Sequence, residues 1–219
     1  MTNDDRNQYQ IIRKDARNCF VEVKSDSFQI GKMHLEFATY DVNRPAGQRQ
    51  TNYVSIYIDI SEFLHLVHFV LYGGCHSQMM ACKKNEEMAK QPLYQSLGGT
   101  SAQRLAQYGR ARKDGMSLSR SVKLFAGKKA DYLFYAASGA GETDAKGLIV
   151  PRYGNNPEQK VTVSLSMAHL NELMLAAMSH YNAWLSGWYA RNYQSPKQKN
   201  GNAYVPENGR DNADDTEMF

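Results

Sequence analysis

"VSIYIDISEFLHL", Val54 to Leu66, is the stretch of the sequence that decides the fold. Its first half alternates apolar residues with small or polar ones, which is typical of a strand with one buried face. The buried positions of that strand are Val54, Ile56 and Ile58. Asp59 is then predicted to cap a helix, with Glu62 as its capping-box partner three residues further on. A strand therefore leads directly into a helix.

The same pattern returns in "VTVSLSMAHLNEL", Val161 to Leu173, and the two segments align without a gap. In the second segment Ser166 takes the place of the capping aspartate. Apolar residues then recur at helical spacing in both copies. They are Phe63, Leu66, Val67, Val70 and Leu71 in the first, and Leu170, Leu173, Met174, Ala177 and Met178 in the second. This internal similarity predicts a duplicated unit of strands followed by one main helix.

Further strands are predicted upstream of each unit. The first half contains "NCFVEVKS" and the long "SFQIGKMHLEFATYD", in which Gly31 is predicted to mark a bulge or bend. The second half contains "SRSVKLFAG", "ADYLFYAAS" and "GLIVPRY", separated by glycine-rich turns. Each half is therefore predicted to consist of three or four antiparallel strands closed by one helix, which is an α+β fold.

These patterns also predict the organisation of the chain. We expect an N-terminal extension over residues 1–18, one domain over 19–192, and a disordered acidic tail over 193–219. Within the domain, the repeats are predicted at 19–74 and 117–190, with a polar and basic insertion at 75–116. The tail from Ser195 onward has three basic and five acidic side chains, a net charge of −2, so the rest of the chain carries +6 and the whole chain +4. A basic body is typical of proteins that bind a polyanion.

Composition argues against several other classes of protein. No apolar run is long enough to span a bilayer, and the first 18 residues lack the apolar core of a secretory signal, so we expect a cytoplasmic location and no membrane partner. Cys19, Cys75 and Cys82 are an odd number of cysteines without a CxxC pair, which predicts buried thiols and no disulfide framework. His65 and His68 have a spacing that could bind a metal, but a solvated helix face explains them better. We predict no metal site.

No sequence motif for catalysis is present. The chain lacks the GxSxG, HExxH and Walker A patterns, and "GAGETDAKG" does not have the spacing that cradles phosphate. The sequence therefore predicts that the protein is not an enzyme and needs no cofactor.

The predicted polar faces of the sheets combine aromatic and basic side chains. Single-stranded nucleic acid is held by this combination, since bases stack on aromatic rings while Lys and Arg neutralise the phosphates. The residues predicted to bind nucleic acid are Lys24, Lys32, His34, Tyr40, Arg49, Tyr53, Tyr57, Lys123, Phe125, Lys128, Lys129, Tyr132, Arg152 and Tyr153. Tyrosines also pack on sheet surfaces without any ligand, which is the alternative explanation for each of them taken singly.

Two families resemble this pattern. "FQIGKM" followed by a strand is similar to the start of the DNA-binding domain of the coactivator called positive cofactor four. From about Cys19 to Tyr189 the chain resembles the Whirly family, in which such a unit is duplicated; the carrying stretches are "VSIYIDISEFLHLVHFVLYGG" and "VTVSLSMAHLNELMLAAMSHYNAWLSGWYA". The resemblance implies two four-stranded sheets packed crosswise, single-stranded DNA along the sheets, and a homo-oligomer. The KGKAAL segment of plant Whirly proteins is absent, and the insertion between the halves is atypical of the family.

The last six residues, "DDTEMF", resemble the acidic tip of bacterial single-stranded DNA-binding proteins. The resemblance implies that the tip recruits replication or repair proteins, through Asp214, Asp215, Glu217, Met218 and Phe219. A terminal phenylalanine suits an apolar pocket with a basic rim.

Together these features predict a sequence-tolerant single-stranded DNA-binding protein, working in bacterial or mobile-element replication, recombination or transfer. Two alternatives remain open from the sequence. One is an RNA-binding or transcription-regulating protein of the same fold. The other is a scaffold protein of a conjugation or phage apparatus, in which the tyrosine faces contact other subunits.

Overall fold

The computed structural model describes residues 8–193, which form two antiparallel β-sheets and five α-helices. Sheet 1 has the strand order β1-β2-β3-β4. Its strands are β1 (Gln10–Ala16), β2 (Cys19–Lys24), β3 (Lys32–Tyr40) and β4 (Gln50–Asp59). Alternation fixes its two faces as predicted, with Val54, Ile56 and Ile58 buried and Tyr53 and Tyr57 exposed. The α+β fold class is confirmed.

Sheet 2 is built on the path β5-β6-β7-β8, and β9 pairs with another part of β7. Its strands are β5 (Tyr94–Thr100), β6 (Ser117–Ala126), β7 (Tyr132–Thr143), β8 (Ile149–Pro151) and β9 (Gln159–Leu165). The sheet is tightly packed at Gly99, where a Cβ atom would lie 2.4 Å from the carbonyl oxygen of Leu118 and 2.9 Å from Ile149. Only glycine fits at that position of β5.

Each sheet leads into one long amphipathic helix. α1 (Ile60–Leu71) follows β4, and α5 (Met167–Asn192) follows β9. Of three shorter helices, α2 (Gly74–Lys84) and α3 (Glu86–Ala89) lie between the two sheets in sequence, and α4 (Ala102–Gln107) connects β5 to β6 within sheet 2. No helix within residues 8–193 is both long and apolar enough to cross a membrane.

The two predicted helix caps have different outcomes. Ser166 caps α5 as predicted, because its hydroxyl accepts a hydrogen bond from the backbone of His169 at 3.1 Å. Asp59 precedes α1 but makes no capping hydrogen bond. Its carboxylate instead accepts from Lys32 Nζ at 2.6 Å, and Glu62 accepts from the hydroxyl of Tyr94 at 3.1 Å. The capping box was wrong because tertiary partners compete for both carboxylates.

Strands also lie where the sequence did not predict them. β1 falls within the predicted N-terminal extension, and β5 falls within the predicted insertion. Both are edge strands with partly exposed residues, so their apolar alternation is weak. The long strand predicted from Ser27 begins only at Lys32, because Phe28–Ile30 form a 3₁₀ turn that ends at Gly31 with φ +69°.

The core lies between the apolar faces of the two sheets. Phe37 of sheet 1 and Phe134 of sheet 2 meet edge to face, with ring centroids 5.1 Å apart. Both main helices complete this core with the predicted stripes, including Phe63 of α1 and Leu173 of α5. The three cysteines are buried and unpaired, as predicted. Packing the sheets by their apolar faces turns their polar faces away from the core.

Candidate anion-binding cleft

A cleft of about 950 Å³ lies where β4, the edge strand of sheet 1, meets β5 and β6 of sheet 2. Its lining includes five basic side chains, Lys32, Arg104, Arg110, Arg112 and Arg120, and two acidic ones, Asp59 and Glu62. The rings of Tyr53, Tyr57 and Tyr108 line it as well. The cleft is therefore both cationic and aromatic, and it draws on both sheets.

Arg120 is the most unusual of the basic residues, because it is half-buried on β6. Its Nη1 donates to the hydroxyl of Thr100 at 3.1 Å, and within residues 8–193 it forms no salt bridge. Burial lowers the pKa of its guanidinium, an effect that Tyr57 and Tyr53 partly oppose. Burying a charge without a partner costs folding free energy, and an anion bound in the cleft could pair with Arg120 and offset that cost.

Arg104 and Arg110 are exposed at the mouth of the cleft, and within the described part of the chain they too form no salt bridge. The guanidinium of Arg104 lies 5.9 Å from the centre of the Tyr108 ring, within cation–π distance. Arg112 differs, because it binds Glu158 at 2.5 Å and Asp114 at 2.6 Å and is already neutralised. Three arginines therefore remain open to a ligand.

Two cleft tyrosines rest on a polar network on the outer face of sheet 1. The ring of Tyr57 stacks on His34, with centroids 4.2 Å apart and planes at 19°. The hydroxyl of Tyr53 donates to Glu36 Oε1 at 2.5 Å. Both tyrosines remain well exposed, at 44% and 39%.

His34 is held between Asp26, 2.9 Å from its Nδ1, and Ser55, whose hydroxyl lies 2.7 Å from its Nε2. This chain has the order of a nucleophile–base–acid triad. However, Glu36 Oε1 lies 3.4 Å from the same Nε2, and only 3% of the His34 side chain is exposed beneath Tyr57. The arrangement favours a supporting role for His34 over attack on a substrate.

Glu22 and Glu36 sit side by side in the register of β2 and β3. Burial and the hydrogen bond shared with Glu36 raise the pKa of Glu22 from 4.5 to about 7. Burial also acts to raise the pKa of Glu36, but hydrogen bonds from Tyr53 and Glu22 outweigh it and hold that pKa below its ordinary value. The pair therefore shares one proton near neutral pH.

This pair makes stability depend on pH. Because folding raises the pKa of Glu22, its contribution is complete below pH 4.5 and is lost as the pH rises through about 7. We expect Glu22→Gln to remove about 1 to 3 kcal/mol of the decline in unfolding free energy between pH 5 and pH 8. Urea unfolding at the two pH values measures this, and an equally steep decline in the variant would contradict it.

A second, smaller groove of about 340 Å³ lies on the outer face of sheet 2. Lys123, Phe125, Tyr135 and Tyr153 line it, and the hydroxyl of Tyr153 lies 3.2 Å from that of Ser121. Leu97 of β5 lines both this groove and the main cleft. The two sites therefore adjoin across one edge strand.

The structure brings together some of the predicted nucleic-acid-binding residues. Lys32, Tyr53 and Tyr57 line the main cleft, although Lys32 is paired with Asp59. Lys123, Phe125 and Tyr153 share the second groove. The others lie apart. Lys24 pairs with Glu36, Arg152 pairs with Glu142, Tyr40 packs near Phe20, Arg49 binds the carbonyl of Arg44, and Lys128 and Lys129 are exposed in the turn between β6 and β7.

One predicted placement was wrong, and one residue on the predicted face is buried. Tyr132 is only 1% exposed and belongs to the core, because β7 places it on the same face as Phe134. His34 lies on the predicted polar face but is buried beneath Tyr57, so it cannot meet a phosphate directly. The tip residues Asp214, Asp215, Glu217, Met218 and Phe219 lie outside the described residues.

Sequence reasoning missed the arginines that dominate the cleft. Arg104, Arg110 and Arg112 belong to the basic stretch "RLAQYGRAR", which was recognised as basic but not assigned to a site. Arg120 is the fourth residue of β6 and lies on the same face of the strand as the buried Val122 and Leu124. Glu22, which lies on the same face of β2 as Phe20 and Lys24, was also overlooked. Within residues 8–193 no group of three or more His, Cys, Asp or Glu side chains is arranged so that it could hold a metal ion.

Comparisons with known proteins do not identify a family. No family model matches the chain, and no curated protein matches it. Among solved structures, a chain from "Crystal structures of trypanosoma bruciei MRP1/MRP2" aligns with a TM-score of 0.36 and 11% identity, covering 79% of this chain and 81% of that one. A likeness at this level carries no argument about function.

Proposed function

We propose that the protein binds single-stranded nucleic acid, preferring DNA, with little dependence on sequence and without catalysing a reaction. The observation that carries the proposal is Arg120, a desolvated guanidinium without a carboxylate partner among the described residues, at a cleft lined by exposed tyrosines. A polyanion with stackable bases supplies both missing partners. Phosphates would pair with Arg104, Arg110 and Arg120, and bases would stack on Tyr53 and Tyr57.

The finer architecture is also proposed, as a duplicated Whirly-like body. Its support is that each sheet leads directly into a long helix, at Asp59 and at Ser166, with apolar stripes at matching positions. Homo-oligomerisation belongs to the same proposal. Trp188 and Tyr189 near the end of α5 are exposed by 42% and 54%, which would suit contact with another copy. Recruitment of replication or repair proteins through "DDTEMF" remains a prediction from the sequence.

Fluorescence anisotropy with a labelled oligo-dT of about 30 nucleotides tests the proposal, with duplex DNA and an RNA of the same sequence as competitors. Binding should favour the single strand, and log K should fall with log salt by about 0.7 for each phosphate contacted. Preference for RNA would favour the RNA-binding alternative. Absence of binding at low salt would indicate that the tyrosine faces contact other proteins, which is the scaffold alternative.

Tyr57→Ala should weaken binding of this oligonucleotide by about 1 to 3 kcal/mol, because one base loses its stacking partner. Because the ring of Tyr57 is exposed, the substitution should leave the fold intact, and thermal denaturation checks this. Tyr72→Ala is the matched control, since Tyr72 is 79% exposed and also stacks on a histidine, His68, but does not line the cleft. Equal effects of the two substitutions would contradict the assignment of the stacking surface.

A further inference from the structure

The two tyrosines that β4 presents to the cleft are each fixed from behind. We name Tyr53 and Tyr57 the tyrosine pair. Both belong to an edge strand and are well exposed, so either ring could otherwise sample several rotamers. Ordering such side chains on binding is an entropic cost that a prearranged site avoids.

His34 is the residue behind Tyr57. Its ring is parallel to the tyrosine ring at stacking distance, and it is itself held on both nitrogens, by Asp26 and by Ser55. Asp26 precedes the 3₁₀ turn, whereas Ser55 lies on β4. With both nitrogens engaged and the ring buried, His34 is a fixed surface on which Tyr57 rests.

Glu36 is the residue behind Tyr53. It accepts a hydrogen bond from the tyrosine hydroxyl and, at 3.3 Å, from Lys24 Nζ. Burial raises the pKa of Tyr53, and the hydrogen bond to Glu36 raises it further. The hydroxyl therefore keeps its proton and remains a donor. The hydroxyl end of the ring is therefore anchored while its face stays open to the cleft.

We propose that His34 and Glu36 are positioning residues, which hold the tyrosine pair in the arrangement that stacks the bases of a bound single strand. The inference rests on the proposed function and adds to it two residues that do not touch the ligand. Removing either one should weaken binding about two- to tenfold, the fold-change that corresponds to ordering one side chain on binding.

The charges around the network predict how this positioning responds to pH. The groups next to Glu36 are Glu22 and Lys24 on β2, His34 on β3 and Tyr53 on β4. The same network includes Arg13 and Asp15 on β1, Asp26, which binds His34, and Tyr57, which stacks on His34. When Glu22 loses its proton near pH 7, two neighbouring carboxylates repel each other and Glu36 loses a hydrogen-bond donor. Affinity should therefore fall between pH 6 and pH 8, and less so in Glu22→Gln.

A double-mutant cycle tests the proposal with the full chain and the oligo-dT probe. His34→Ala should weaken binding in the wild-type background but cause no further loss in the Tyr57→Ala background, because there is no ring left to position. Glu36→Ala and Tyr53→Phe form the second cycle. Equal losses in both backgrounds would overturn the proposal. His34→Gln keeps hydrogen-bonding groups but has no flat ring, so it should weaken binding as His34→Ala does, and it serves as the second variant if His34→Ala folds poorly.

A measurement without ligand separates this inference from the proposed function. In the free protein, NMR signals of ¹³C-labelled tyrosine should show Tyr57 shifted by the His34 ring, and His34→Ala should abolish the shift. If wild-type protein fails to bind the oligonucleotide, the proposed function is overturned and this inference with it. If it binds while the cycles are additive or the Tyr57 shift is absent, only the positioning role is overturned.

Discussion

Replacing Arg104, Arg110 and Arg120 together by glutamine is expected to lower affinity for single-stranded DNA about a thousandfold at low salt. The estimate takes about 1.5 kcal/mol for each charge-assisted hydrogen bond to phosphate. In the same variant the slope of log K against log salt should become shallower by about 2, because three fewer phosphates are neutralised. Anisotropy titrations over a salt series measure both quantities.

A matched control removes the same charge elsewhere. Arg17, Lys90 and Arg191 are exposed and line neither groove, so their combined replacement by glutamine changes the net charge equally. If the control loses as much affinity as the cleft variant, binding depends on overall charge and the cleft has no special role. Arg120→Gln alone should leave the free protein as stable as before or more so, since it removes a desolvated, unpaired charge.

Phe134→Ala is expected to have the largest effect on stability, a loss of about 3 to 5 kcal/mol of unfolding free energy. Phe134 is 1% exposed and meets Phe37 between the sheets, so truncation leaves a cavity where the sheets join. A loss of this size would exhaust much of the stability of an ordinary domain. Urea unfolding followed by circular dichroism measures the change.

Phe125→Ala provides the comparison, because Phe125 lies on the neighbouring strand but on the outer face of sheet 2, beside Tyr135. We expect about 1 kcal/mol or less of destabilisation there. The contrast tests the assignment of faces directly. If both substitutions destabilise equally, the outer face of sheet 2 is covered and cannot serve as an open groove.

Much of the fold was predictable because its determinants are local. The alternation of Val54, Ile56 and Ile58 and the helical stripe that begins at Phe63 depend only on neighbours along the chain. The edge strands β1 and β5 were missed, since partly exposed strands need less strict alternation. The cap at Ser166 was predicted correctly, whereas Asp59 was not, because Lys32 competes for its carboxylate.

The candidate site was predictable only in part. Alternation identified Tyr53 and Tyr57 as exposed aromatic residues, and composition identified a basic body. The sequence could not show that Arg120 lines the same cleft as these two tyrosines, since β6 comes to lie beside β4 only when the two sheets pack. It also could not distinguish Tyr132 from an exposed tyrosine without knowing the register of β7.

The sequence by itself determined the central strands and the two main helices, the apolar face of β4 and of each main helix, and that the body is basic. The tertiary structure decided which charges remain open to a ligand. Arg112 is neutralised by Glu158, 46 residues away, while the hydrogen-bond partner of Arg120 among residues 8–193 is the neutral Thr100. Glu22 and Glu36 lie side by side because two strands pair in one register. Periodicity records burial along one chain, but the partner of a charge depends on which distant segments pack beside it.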